Sequence, residues 1–289
     1  MCFAMELQNC YHLCTEALKN RLLCNDEQDY AALWNILAVC AIVQGIKIYC
    51  ICLMSNHIHI LLAGDTAQIQ TYFALIKKKV GMYLRQRYPH HTLPDLDYKL
   101  FPVSDKKAFC REVAYILRNP YKAGVASPYS YKWSSAPAYF HPFSVEGNPL
   151  SDFHYRERRE ILHTRLNLPD KIRISNGAVL PESFVDRLYV ERMFDNSSIL
   201  FFNLIKSWNL EDVVHAMHGE QVVDRYTDSE VQKGISELCR DIFQVSSPHQ
   251  LEKRSLYTLV RRVYARFGCN QKQLERLLPV DSTLLDRIL

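Results

Sequence analysis

Residues 54–62 read Met-Ser-Asn-His-Ile-His-Ile-Leu-Leu, and this stretch decides how we interpret the rest of the chain. The Ser-Asn pair indicates a turn, and the apolar residues after it predict a β-strand. In a strand, His57 and His59 point to the same face, while the isoleucines point to the other. Two imidazoles on one face can bind one ion, and histidines in an apolar strand need such a reason for being there.

The segments around this motif predict an alternation of strands and helices. We predict a strand over 9–18, a helix over 27–43, a hairpin of strands over 46–54 and 57–62, a helix over 67–88, a strand over 98–103, and a helix from 104 or 105 that stops at Asn119-Pro120. This order predicts an α+β fold with a ferredoxin-like antiparallel sheet and helices on one face.

Turn-forming residues are concentrated in 141–152, where hydrophobic periodicity is weak. We therefore predict a first domain over 1–140, a linker over 141–152 and an all-α domain over 153–289. The last part, 255–289, predicts three short helices. They are compatible with a degenerate helix-turn-helix or with a plain helical end of the domain.

Composition narrows the class of protein. The chain has 289 residues, of which 48% are hydrophobic and 23% are charged, and this balance excludes a disordered chain. The ten cysteines form no CxxC pair, which favours reduced core thiols in the cytosol. Glycine-rich nucleotide-binding motifs are absent from the sequence.

An apolar run over 36–54 is long enough to suggest a membrane helix, but Gln44, Gly45 and Lys47 interrupt it. The amino terminus lacks the basic and apolar regions of a secretion signal. We expect no membrane association and a cytoplasmic protein associated with the nucleoid.

Positive charge is concentrated between residues 66 and 132. This segment contains twelve Lys and Arg but only four Asp and Glu, although the net charge of the whole chain is only +4. Such a local excess suits a polyanion. For the helix over 67–88, whose outer side carries many of these residues, a solvated surface is an equally good interpretation.

A second informative stretch is Arg-Glu-Val-Ala-Tyr-Ile-Leu-Arg-Asn-Pro-Tyr-Lys-Ala-Gly, residues 111–124. On a helix, Glu112, Tyr115 and Asn119 are spaced three and four residues apart and share one stripe. Tyr115 and Asn119 can therefore face one site. Taken alone, Tyr115 also fits the edge of an amphipathic helix, and Asn119 fits a helix cap.

Together, the histidine pair, the helix with Tyr115 and Asn119 before a proline, and the basic residues between them resemble the single-tyrosine transposases of the HUH endonuclease superfamily. The resemblance covers roughly residues 8–136, from a strand near Tyr11-His12 to Tyr131 and the Trp133-Ser134-Ser135 segment. Because the chain continues with a long helical tail, it is most similar to the REP-associated tyrosine transposases, which carry a transposase IS200-like domain.

The resemblance implies a metal-dependent single-stranded DNA endonuclease and strand transferase. His57, His59 and Asn119 would bind Mg²⁺ or Mn²⁺, with Glu112 as a less favoured substitute for Asn119. Tyr115 would attack the scissile phosphodiester and form a 5′-phosphotyrosine intermediate. A histidine-triad nucleotide hydrolase is disfavoured, because Leu61 stands where that class needs a third histidine.

The resemblance also implies a substrate, single-stranded or hairpin DNA. The basic residues that we expect to contact its phosphates are Lys77, Lys78, Lys79, Arg85, Arg87, Arg118 and Lys122. Two alternatives stay open: a domesticated protein that binds DNA hairpins without cleaving them, and a phosphodiesterase that uses water. The sequence also leaves open a monomer or a homodimer, and Tyr115 acting in its own subunit or in a partner.

Overall fold

A four-stranded antiparallel sheet organises the first part of the chain. The computed structural model describes residues 7, 9–15, 22–89, 96–141, 146–207, 210–219, 226 and 228–289. The strands are β1 (Cys10–Thr15), β2 (Lys47–Leu53), β3 (Ile58–Ala63) and β4 (Tyr98–Pro102). Their order in the sheet is β2-β3-β1-β4, which is the ferredoxin-like topology. The predicted fold class is confirmed, while residues 16–18 of the first predicted strand lie outside the described residues.

Three helices connect or follow these strands: α1 (Glu27–Gln44), α2 (Thr66–Arg87) and α3 (Lys106–Lys122). Each begins after an aspartate, Asp26, Asp65 or Asp105, whose side chain accepts a hydrogen bond from a backbone N–H of the first turn. Helix α1 ends at Gly45, whose φ of 64° is in the left-handed region that glycine adopts without strain.

The helices do not all lie on one face of the sheet, which corrects that part of the prediction. Helix α2 packs Phe73 against Tyr98 on one face, with ring centroids 4.3 Å apart, and α1 packs on α2. Helix α3 lies on the other face, where the Cys50 thiol is 3.9 Å from the Val113 carbonyl oxygen. Strands β2 and β3 are buried at almost every position, so neither strand has a side that faces solvent. Helices on both faces of the sheet account for this burial.

Helix α3 also runs past Asn119-Pro120, where the sequence predicts its end. Proline cannot donate to the carbonyl four residues earlier, which belongs to Ile116. The side-chain Nδ2 of Asn119 lies 3.4 Å from that oxygen and donates to the Tyr115 carbonyl at 3.0 Å. This side chain partly replaces the missing backbone bond, so the helix ends one turn later than expected.

The first compact unit extends to Ile205, beyond the predicted linker over 141–152. It includes a small sheet of β5 (Asn148–Pro149), β6 (Arg173–Ser175) and β7 (Ala178–Val179) and helices α4 (Tyr155–Leu162), α5 (Arg187–Met193) and α6 (Ser198–Ile205). Strands β6 and β7 lie after residue 152 and correct the prediction that the chain is all-α there, although helices predominate.

Asn35 in α1 explains why this later segment belongs to the first unit. Its buried amide donates to the carbonyls of Ile161 and Gly177 at 2.9 and 2.8 Å and accepts from the Val179 N–H at 2.8 Å. The neighbouring Trp34 indole donates to the Val179 carbonyl at 2.8 Å. Buried backbone groups of the small sheet thus find their partners on α1.

The second unit, residues 206–289, is helical where it is described. Its helices are α7 (Leu210–Met217), α8 (Asp228–Phe243), α9 (Lys253–Phe267), α10 (Gln271–Leu277) and α11 (Ser282–Ile288). The last three correspond to the three helices predicted over 255–289. None of the helices in the described part of the chain is both long and apolar enough to cross a membrane.

The described cysteines form no disulfide, and most of them are core residues. Burial raises the pKa of the Cys10, Cys40 and Cys50 thiols to about 12, so these side chains are neutral at physiological pH. The interpretation of the cysteines as small apolar side chains fits these positions.

A buried carboxylate, Asp29, joins the start of α1 to the end of α2. It accepts hydrogen bonds from the hydroxyls of Tyr83 and Tyr88 at 2.8 and 2.7 Å and pairs with Arg87 at 2.8 Å. Burial alone would raise the pKa of Asp29, but hydrogen bonds from Asn25, Tyr88 and Tyr83 outweigh it and lower the pKa. The ionised form is therefore the one that stabilises the fold.

We predict that Asp29→Asn lowers the free energy of unfolding by about 2 kcal/mol at pH 7, since it removes a buried charge from its partners. Because the folded-state pKa is lowered, this contribution is present above the ordinary aspartate pKa and disappears as pH falls through the folded value. Chemical denaturation at pH 7 and at pH 3 measures it. The control is Asp26→Asn, which keeps the helix cap and should cost about 1 kcal/mol or less. Equal losses for both variants at pH 7 would contradict the role of Asp29.

Candidate active site

The turn before β3 positions the two histidines. The Met54 N–H donates to the His57 carbonyl at 2.9 Å, and the Ile58 N–H donates to the Thr15 hydroxyl at 2.9 Å. The second bond fixes the start of β3 against the end of β1. His57 lies immediately before the strand rather than inside it, and His59 is its second residue.

The two imidazoles and the ring of Tyr115 lie together, as the sequence predicts. Ring centroids of His57 and His59 are 4.8 Å apart, and the centroid of the Tyr115 ring is 5.9 Å from that of His59. His59 is 4% exposed, while Tyr115 and His57 are partly exposed. The phenol on α3 and the imidazoles of the sheet therefore share one site that solvent and a ligand can reach.

Asn119 completes the group, one helical turn after Tyr115. Its side-chain nitrogen is used by the helix carbonyls described above, so its oxygen is the atom that remains for other partners. The Asn119 side chain lies close to the His57 ring and influences its pKa. The structure therefore brings together all four residues predicted for the catalytic and metal sites: Tyr115, His57, His59 and Asn119.

The electrostatics of His57 favour a neutral ring. Burial lowers the pKa of His57, the nearby Asn119 side chain opposes this shift, and the Lys122 ammonium lowers the pKa further. Nδ1 of His57 lies 2.7 Å from Oδ1 of Asn56. Because an amide oxygen only accepts, Nδ1 carries a hydrogen, and Nε2 is the atom with a lone pair for an ion.

Two further side chains, His12 and Cys14, lie at this site and were not assigned to it by sequence reasoning. Nε2 of His12 lies 3.0 Å from Nδ1 of His59, and Nδ1 of His12 lies 2.9 Å from a carboxylate oxygen of Glu112. The Cys14 thiol lies 4.0 Å from Nε2 of His59. Ligand atoms of His12, Cys14 and His59 all lie within 4.8 Å of one another.

The period of two in β1 is the sequence signal that could have found His12 and Cys14. It places both on one face, but only the pairing of Cys14 with His59 identifies that face as the one with the metal candidates. Glu112 lies nearby and contacts His12, and its role as a substitute third ligand stays a prediction.

The predicted DNA contacts divide into three groups. Lys77, Lys78, Arg85 and Lys122 are exposed. Lys79 donates to the His163 carbonyl at 2.9 Å, and Arg87 pairs with Asp26 and Asp29. Arg118 is only 8% exposed, which leaves little of it for a phosphate. The exposed group is the better placed for DNA.

A groove of about 1060 Å³ lies between α2 and α4. Its cationic lining residues are Lys79, Arg87, Arg156, Arg159 and Arg165, with Glu160 as the acidic one. Arg156 pairs with Glu160 at 3.2 Å, and Arg159 lies over the exposed Tyr155 ring, 5.5 Å from its centroid. Sequence reasoning missed the part contributed by α4, since α4 lies beyond the predicted domain.

Comparison with known proteins finds a family that matches the segment with the four-stranded sheet and the histidine pair. The family described as transposase IS200-like matches residues 7–106, which contain β1 to β4 and both His57 and His59. Over this segment the chain is similar to that family. The match ends before Tyr115 and Asn119, so the roles of those residues rest on the geometry.

A solved structure of a REP-associated tyrosine transposase bound to a REP hairpin matches 59% of this chain and 96% of its own, with 14% sequence identity and a TM-score of 0.34. A search of curated proteins found no match. The resemblance expected from the sequence is confirmed for residues 7–106 by the family match.

Proposed function

We propose that the protein is a metal-dependent single-stranded DNA endonuclease and strand transferase that acts through Tyr115. The observation that supports this proposal best is the shared site, in which the Tyr115 ring lies 5.9 Å from the His59 ring, beside a segment that matches the transposase IS200-like family. The partly exposed Tyr115 lies on helix α3 and the buried His59 lies on strand β3, so the fold brings the two side chains together.

The donor set fits a divalent cation. His57 offers Nε2, Asn119 offers an amide oxygen, and His59 adds a second imidazole. Neutral ligands leave the ion almost its full charge, and Mg²⁺ and Mn²⁺ both accept oxygen ligands, while Mn²⁺ accepts imidazole more readily. When bound, the ion would polarise the scissile phosphodiester and stabilise the charge that develops on it.

The residues of the chain supply the nucleophile and its surroundings. The Tyr115 oxygen forms a bond to phosphorus and loses its proton, while the bond from phosphorus to the 3′ oxygen breaks and that oxygen takes up a proton. The products are a 5′-phosphotyrosine and a free 3′-hydroxyl. The Lys122 ammonium lies 6.0 Å from the centre of the Tyr115 ring and places a positive charge beside the nucleophile. A phenol is a poor nucleophile at neutral pH and needs such assistance.

We predict that the purified protein forms a covalent adduct with labelled single-stranded hairpin DNA in the presence of Mn²⁺. Tyr115→Phe should abolish the adduct because it removes the nucleophilic oxygen, and His57→Ala should reduce it at least about 100-fold because it removes an ion ligand. A denaturing gel measures the adduct. Tyr121→Phe, on an exposed tyrosine of the same helix, is the matched control and should leave the yield unchanged.

Each alternative function predicts a different result on the denaturing gel. Hairpin binding without an adduct in the wild-type protein would mean a catalytically silent DNA-binding protein. Cleavage that survives Tyr115→Phe would mean a phosphodiesterase that uses water. Either result would contradict the proposed mechanism.

We further propose that the groove between α2 and α4 contacts the phosphates of the bound DNA. Lys79, Arg87 and Arg156 already pair with protein oxygens, whereas Arg159, which lies over the Tyr155 ring, and Arg165 are exposed in the same groove. The exposed Tyr155 provides a surface on which a base can stack. Charge and an aromatic platform together are typical of single-stranded nucleic-acid binding.

Neutralising Arg159 and Arg165 together, as glutamines, should weaken binding of single-stranded DNA and lower the slope of log affinity against log salt by about 1.4, or about 0.7 for each lost phosphate contact. Fluorescence anisotropy at several salt concentrations measures the slope. The matched control neutralises Lys47 and Lys171, two exposed lysines outside the groove, and should leave the slope unchanged. The groove proposal is wrong if both double variants behave alike.

The remaining expectations belong to the same proposal. Hairpin DNA is the favoured form of the substrate, and the protein acts as a monomer or a homodimer near the nucleoid. No membrane partner is required for any of the steps.

A further inference from the structure

We propose that Glu112 and His12 are positioning residues that fix the orientation and the tautomer of His59, so that Nε2 of His59 faces the ion. This inference rests on the proposed function, because it gives a purpose to the second imidazole of the metal site. It concerns residues that neither the transposase family match nor the predicted ligand set assigns to such a role.

The geometry is a continuous chain of side chains from helix α3 to β3. A carboxylate oxygen of Glu112 lies 2.9 Å from Nδ1 of His12, and Nε2 of His12 lies 3.0 Å from Nδ1 of His59. Glu112 is 1% exposed, His12 is 0% exposed and His59 is 4% exposed. Water cannot compete for these contacts, so each one constrains its neighbour.

The positions of the ring hydrogens follow from Glu112, the first residue in this series of three side chains. A carboxylate oxygen 2.9 Å from Nδ1 of His12 disfavours a lone pair on that nitrogen, so it favours the tautomer with the hydrogen on Nδ1, in which Nε2 is an acceptor. Nδ1 of His59 must then donate to it, and the lone pair of His59 lies on Nε2. His57 reaches the same state by donating from Nδ1 to Asn56. Both imidazoles therefore hold their hydrogen on Nδ1 and offer Nε2.

Packing favours this arrangement over ring rotation. His12 lies between the rings of His59, Phe101 and Tyr115, with centroid distances of 5.2, 6.0 and 6.0 Å. The same contacts couple the orientation of His59 to the ring of the proposed nucleophile. A partner that holds the second nitrogen of a ligating histidine typically changes metal affinity 10- to 100-fold when it is removed.

The test begins with the metal-free protein and NMR of its histidine ring nitrogens. In the wild type, the His59 ring should carry its hydrogen on Nδ1. In His12→Phe, which keeps an aromatic ring but removes the acceptor, the hydrogen should move to Nε2. An unchanged tautomer in this variant would overturn the proposal, whether or not the protein cleaves DNA.

The second measurement is the dissociation constant for Mn²⁺ in the absence of DNA. We expect it to rise about 10- to 100-fold in His12→Phe and in Glu112→Leu, and to rise less in Glu112→Gln, whose amide oxygen can still accept from His12. Thermal unfolding of each variant verifies folding, and Glu112→Gln provides the measurement if the other two do not fold. Equal effects of Glu112→Gln and Glu112→Leu would contradict the orienting role of the acceptor.

A matched variant, Cys14→Ala, distinguishes positioning from direct ligation. If His12, Cys14 and His59 bound the ion themselves, loss of the thiol would weaken Mn²⁺ and Zn²⁺ binding as much as loss of His12, and that result would overturn the inference. We expect Cys14→Ala to leave Mn²⁺ affinity nearly unchanged. Different results would contradict the proposed function itself: no binding of Mn²⁺ by the wild-type protein, or no loss of Mn²⁺ binding in His57→Ala.

Discussion

The register between β1 and β3 is the constraint on which the site depends. Cys14 pairs with His59 and His12 pairs with Leu61, so the side chains of all four lie on the face that carries α3. A slip by one residue would turn His12 and Cys14 to the opposite face, against α2. The bond from the Ile58 N–H to the Thr15 hydroxyl fixes this register at the end nearest the histidine pair.

From this register the rest of the site follows. Because both faces of β2 and β3 are buried, α3 must cover the face with His59, and it brings Glu112 and Tyr115 with it. Asn119 then has a double role: its amide nitrogen bonds to helix carbonyls near Pro120, and its oxygen is left for the site. Pro120 interrupts the backbone hydrogen bonds of α3. The Asn119 side chain that partly replaces them is also the third proposed ligand.

Local sequence patterns predicted the parts of the site but not all of its connections. The histidine pair, the spacing of Tyr115 and Asn119, and the turn between β2 and β3 are features of short segments, and each was found. The contact of His12 with His59 spans 47 positions and depends on strand register, which no local pattern encodes. The extension of the first unit to Ile205 depends on Asn35, whose partners lie 126 to 144 positions away.

The most direct test of the account is a crystal structure of the protein with Mn²⁺, using the anomalous signal of the metal to locate it. The account predicts one strong peak bonded to Nε2 of His57, Nε2 of His59 and Oδ1 of Asn119, at about 2.0 to 2.2 Å. A peak bonded instead to His12 and Cys14, or no peak near the histidine pair at saturating Mn²⁺, would contradict it.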